Sequence, residues 1–188
     1  AHVDDCGYAL GVAVGGDGTV FLANRDDGLR AYHYSNTAHV DDGGMAHDVA
    51  IGPDGTLFLA NGDDGLRAYE YDGSSFRNTA HIDSGRFAWG VAVGPDGTVL
   101  LANHHDGLRA FRYDGTAFTH AAHADDDDPA YAVAVDSGGT VFTASGYGGL
   151  KAYVYDGSSF ICTAQMYDGG FATDVAVGSD GTVFLAKN

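Results

Sequence analysis

Leu10, His47, Trp89, Tyr131 and Thr173 hold the same place in a phrase that this chain repeats, yet no two of them are alike. The next residue reads Gly11, Asp48, Gly90, Ala132 and Asp174, and two places before the first set stand Tyr8, Met45, Phe87, Pro129 and Phe171. Aromatic rings among aspartates suit sugars, which stack an apolar face while their hydroxyls bond carboxylates. They suit peptides and small cations as well. We take Leu10, His47, Asp48, Trp89, Tyr131, Thr173 and Asp174 as candidate ligand-binding residues. The competing reading is loop drift under weak constraint. Against drift, the GxDGT turns at Asp17, Asp54, Asp96 and Asp180 hardly vary.

Other polar residues recur without divergence. Asn24–Gly28, Asn61–Gly65 and Asn103–Gly107 offer oxygens of the kind calcium takes, but the spacing is not that of an EF-hand loop. A hairpin turn rich in Asn, Asp and Gly explains them without metal, so no cofactor is assigned. His2, His39, His81 and His123 share a position with Gln165, which fits a side chain tied to nearby backbone better than one shared ion. Arg30, Arg67, Arg109 and Lys151 are expected to pair with carboxylates of adjacent turns. No GxSxG, metal triad or phosphate loop occurs.

The bulk chemistry narrows the partners. Net charge is −17, and Glu70 is the only glutamate among 26 acidic residues. Nothing supplies the basic stripe that nucleic acid or an anionic membrane requires. Aspartate suits turns, whereas the scarce glutamate and lysine favour helices. Such acidity fits a solvated surface or adaptation to salty water. No apolar stretch reaches membrane-spanning length and no signal-peptide pattern stands out, while an extracellular or cell-surface location suits the composition. Cys6 and Cys162 are the only cysteines, and whether they pair is left open.

The elements that position these residues follow from the repeat. Copies begin at Ala1, Ala38, Ala80, Ala122 and Ala164, giving repeats 1–37, 38–79, 80–121 and 122–163 and a partial fifth, 164–188. In the third copy, Gly90–Val93 is an apolar run closed by the turn Gly94–Gly97. Thr98–Ala102 follows it, then Leu108–Tyr113 with period-two alternation, then a strand ending near His123. Four short antiparallel strands per roughly 42 residues describe a propeller blade. The inner strand is small (Val12-Ala13-Val14, Val91-Ala92-Val93). Phe21, Phe58, Phe142 and Phe184 are expected to fill the widening space farther out, with Tyr32, Tyr69, Phe111 and Tyr153.

The sequence therefore predicts a single all-β domain over 1–188, a β-propeller of five blades. Its incomplete last blade would be closed by Ala1–Asp5, with self-association through the open edge or a longer natural chain as alternatives. The stretch 90–103, GVAVGPDGTVLLAN, resembles the NHL-type propeller repeat, and Leu59–Tyr69 is similar to the LVIVD-type repeat, although Arg67-Ala68-Tyr69 departs from the latter's valine and isoleucine run. Both resemblances imply a scaffold rather than an activity.

The leading functional reading is a non-enzymatic binding module whose ligand, a small molecule, glycan or protein, meets the variable mouth. A calcium-dependent enzyme resembling propeller lactonases is the alternative. It would need inward carboxylates, for which Asp48 and Asp174 are the repeat-matched candidates.

Overall fold

A computed structural model describes residues 7–33, 35–125, 128–167 and 169–188. They form a β-propeller, with no helix among them. The first blade is β1 (Gly11–Val14), β2 (Val20–Ala23), β3 (Leu29–His33) and β4 (Ser35–Val40). The second is β5 (Asp48–Ile51), β6 (Leu57–Ala60), β7 (Leu66–Tyr71) and β8 (Phe76–Ile82). The third is β9 (Gly90–Val93), β10 (Val99–Ala102), β11 (Leu108–Tyr113) and β12 (Phe118–Ala124). The fourth is β13 (Ala132–Val135), β14 (Thr140–Ala144), β15 (Leu150–Tyr155) and β16 (Phe160–Met166). The fifth consists of β17 (Ala172–Val177) and β18 (Val183–Lys187). Each blade is an antiparallel meander in sequence order.

The turns explain why the sequence repeats so faithfully. In each GxDGT turn the aspartate accepts the backbone N–H of the threonine two residues on, at 2.9 Å from Thr19 to Asp17 and 3.0 Å from Thr98 to Asp96. The outer hairpins use the same device: Asp72 accepts bonds from the N–H and hydroxyl groups of Ser74 and Ser75, and Asp156 from those of Ser158 and Ser159. Short aspartate side chains closing their own turns are thus required locally.

Apolar burial lies between blades. Phe21, Val49, Leu57, Leu59 and Tyr69 form one cluster across the first junction, and Phe58, Val91, Val99 and Phe111 form its equivalent across the second. Inner strands pack in series, β1 on β5, β5 on β9, β9 on β13 and β13 on β17. The approach at the hub is close: a Cβ on Gly11 would meet the Asp48 Cα at 2.6 Å. Side-chain size therefore tapers inward, as the repeat implied.

One expectation needs correction at the ends of the array. Phe184 does not fill an inter-blade gap, because it is 60% exposed where Phe21 is 6%. Val12 is likewise 61% exposed while its counterpart Val91 is 4%. These residues sit on outward faces of the first and last blades, so an identical letter has no neighbour to bury against. The proposed closure by Ala1–Asp5 lies outside the described residues, as does Cys6, while Cys162 is an exposed free thiol.

A second regularity joins the outer strands. A bulge occurs at the same register in all four complete blades and leaves Thr37, Thr79, Ala121 and Thr163 as the extra residue. Thr37 and Thr79 donate to the carbonyls of Ala31 and Ala68 and meet the hydroxyls of Tyr71 and Tyr113 on the next blade, at 2.7 and 2.5 Å.

Candidate functional site at the mouth of the hub

In the four complete blades the residue before the inner strand is fixed by one backbone bond, whereas Thr173 lies within β17 at a bulge. The N–H groups of Leu10, His47, Trp89 and Tyr131 donate to the carbonyls of Ala23, Ala60, Ala102 and Ala144, all at 2.9 Å. A second constraint clasps successive blades: Arg25, Gly62, His104 and Gly146 each form an antiparallel bridge with Ala46, Ala88, Ala130 and Ala172. Equivalent backbone therefore presents non-equivalent side chains to one place. All seven candidates, Leu10, His47, Asp48, Trp89, Tyr131, Thr173 and Asp174, line a single cavity of about 360 Å³.

The cavity wall is aromatic. The His47 and Trp89 ring centroids lie 4.4 Å apart, and those of Trp89 and Tyr131 5.6 Å. Rings continue along the rim, from His47 to Phe87 at 5.0 Å, from Tyr131 to Phe171 at 5.0 Å and from Phe171 to Tyr147 at 4.9 Å. His104 stacks on Trp89 at 5.9 Å, and its Nε2 lies 3.3 Å from the Tyr131 hydroxyl.

Two carboxylates complete the lining. Asp48 accepts the N–H of Val49 on its own strand and that of Val91 on β9, both at 2.9 Å, so it also ties the second blade to the third. Burial pushes its pKa up to about 6, against the pull of those two N–H groups and helped by the negative charge of Asp174. Asp174 accepts the Val175 N–H at 2.8 Å and is exposed. Burial lowers the pKa of His47, with Arg25 adding to the effect, and the His47 Nε2 is buried without a hydrogen-bond partner. Burial also lowers the pKa of His104, helped by His105.

His104 is not among the candidates that the sequence supplied. The structure stacks its ring on Trp89 and brings its Nε2 to the Tyr131 hydroxyl, so it supports two lining residues without lining the cavity itself. The missed signal is backbone: this clasp position has positive φ in every copy, glycine fills it in two, and Arg25 (46°) and His104 (49°) occupy it without glycine's freedom. Phe87 and Phe171 carried a signal too, since they vary two residues before the main set.

The recurrent acidic loops are tied up by protein groups. Asp27 accepts Arg30 Nε at 2.5 Å and Asn24 Nδ2 at 3.0 Å; Asp64 repeats this with Arg67 and Asn61, and Asp106 with Arg109 and Asn103. Lys151 instead pairs with Asp128 at 3.1 Å. The shared histidine position serves these loops: His39, His81 and His123 bond the carbonyls of Asp27, Asp64 and Asp106 at 2.5–2.6 Å. Gln165 does the same to Gly148 at 3.0 Å. Among the described residues, no three His, Cys, Asp or Glu side chains gather to hold a metal ion.

No protein-family model and no curated protein matches the chain. Solved propellers do. Virginiamycin B lyase from Staphylococcus aureus superposes with a TM-score of 0.78 at 10% identity, over 98% of this chain and 64% of that one. A streptogramin B lyase gives 0.78 at 11% identity, over 99% and 64%. A gluconolactonase from Xanthomonas campestris gives 0.72 at 16% identity, over 98% and 71%. The chain thus spans 64% of the length of each of these two lyases, and at such identities the likeness is one of fold.

Proposed function

We propose that this propeller is a binding module whose small-molecule ligand sits in the cavity at the hub. One observation carries the reading: residues that differ most between copies converge on one aromatic, carboxylate-bearing cavity, while the turns of the opposite face are nearly constant. We further read its repeats as kin to the NHL-type and LVIVD-type repeats.

A thermal-shift screen of metabolites and glycans, followed by calorimetry on Trp89→Ala and Tyr131→Ala, tests this. Hits that lose at least tenfold in affinity in both variants support the mouth. Hits that bind both variants as the parent does overturn it.

The structural likeness to a gluconolactonase, with the raised pKa of Asp48, favours one second reading, lactone hydrolysis at the same mouth. Lactone turnover that depends on calcium and falls on Asp48→Ala would establish it, and turnover no faster than buffer would remove it.

A further inference from the structure

Resting on the mouth as a ligand site, we infer that the ligand is a protonated amine, held by the carboxylates of Asp48 and Asp174 against the rings of His47, Trp89 and Tyr131. The cavity contains two carboxylates and no lysine or arginine. Its lining histidine supplies no counter-charge, since burial favours the neutral imidazole. Farther out, Arg25 is outnumbered by Asp26 and Asp63, the other charges acting on His47. An acidic cavity with ring walls lacks a cation, and ring faces themselves attract one.

Other ligands fit less well. Calcium or magnesium wants six or more oxygens, whereas this lining offers two carboxylates and mostly apolar or aromatic groups, and no three His, Cys, Asp or Glu side chains gather among the described residues to hold another ion. A neutral sugar leaves the repulsion between Asp174 and Asp48 unrelieved. A quaternary ammonium has no N–H to donate. An amine has, and the carboxylates of Asp48 and Asp174 in the lining accept them.

Trp89 is the sole tryptophan, so its emission reports this cavity alone. Benzylamine, benzyl alcohol and benzyltrimethylammonium are titrated at pH 7, with calorimetry in parallel. Benzylamine is expected to bind at least tenfold more tightly than either analogue. Asp174→Asn, at an exposed position, is expected to weaken benzylamine at least threefold and leave benzyl alcohol unchanged. Affinity should rise with pH through about 6 as Asp48 ionises; His47, Tyr131 and Asp174 are the other titratable groups of the lining. Equal binding of benzyl alcohol would overturn the amine assignment and leave the mouth standing. Equal binding of the quaternary analogue would overturn the role given to N–H donors. Absence of benzylamine binding at millimolar concentration would overturn the inference, while the metabolite screen separately decides the mouth.

Discussion

Ala121 packs in the same cluster as Tyr155 at the place where Thr37 serves Tyr71 and Thr79 serves Tyr113, and the Tyr155 hydroxyl is buried without a partner. The bulge that elsewhere holds a threonine holds alanine here, so two bonds are lost, one to the Ala110 carbonyl and one across to the next blade. Ala121→Thr is therefore expected to stabilise the protein by about 1–2 kcal/mol, since each net hydrogen bond contributes about 0.5–1.5 kcal/mol. Urea denaturation would show this as a higher midpoint at unchanged slope. No gain would mean that the Tyr155 hydroxyl is already satisfied by water.

Position in the array should outweigh residue identity. Val91→Ala empties a junction between blades and is expected to cost about 2 kcal/mol, from two methyl groups and the space they leave. Val12→Ala, at the same repeat position but 61% exposed, should cost less than about 0.5 kcal/mol in the monomer. Equal losses in the two variants would show that the face of the first blade is covered in solution.

Arg25 and His104 occupy a clasp position that copies two and four give to glycine. A left-handed backbone costs an ordinary residue about 1–2 kcal/mol. Arg25→Gly removes that strain along with an exposed 3.9 Å ion pair to Asp26 and a stack on Tyr8, each worth tenths of a kcal/mol. A gain of about 0.5–1 kcal/mol is expected in thermal unfolding. His104→Gly should also remove the ring that stacks on Trp89 and reaches the Tyr131 hydroxyl, so ligand affinity is expected to fall at least threefold. Loss of stability in Arg25→Gly would show that the side chain matters more than the backbone strain.

Much of this was legible because repeat register and spatial register coincide in a propeller. Leu10, His47, Trp89, Tyr131 and Thr173 share a repeat position, and identical bonds on equivalent strands bring equivalent positions to the hub. The blade strands were legible for a similar reason: Gly-Pro-Asp-Gly at 94–97 and Asp-Gly at 114–115 punctuate short apolar runs. What escaped depends on contacts between copies. Phe184 reads like Phe21 until the missing neighbour is seen. His104 reads as a loop residue until the clasp to Ala130 turns its ring against Trp89. Asn24 and Asp27 offered oxygens of the kind calcium takes, and only the fold shows them bonded to each other, with Arg30 on the same carboxylate.

The turn aspartates and Asp48 should respond to pH with opposite signs. Asp72 and Asp156 are held down to about 2 by the N–H and hydroxyl groups of Ser74, Ser75, Ser158 and Ser159. Their folded pKa lies below the unfolded value, so their contribution is complete above about pH 4 and is lost as pH falls toward 2. Asp48 has its folded pKa raised to about 6 from 3.8. Between those values the native protein holds a proton that the unfolded chain has released, so stability falls as pH rises through this window. The whole cost is on the order of 3 kcal/mol, reached above about pH 6. Asp48→Ala, with the residue that Ala132 supplies at the same register in β13, removes this dependence while giving up the bonds from Val49 and Val91. Measured by denaturation at pH 4 and pH 7, the variant should gain on the parent by on the order of 3 kcal/mol between the two. A difference that stays constant with pH would show that Asp48 ionises normally, and would remove the acid–base coupling from the mouth.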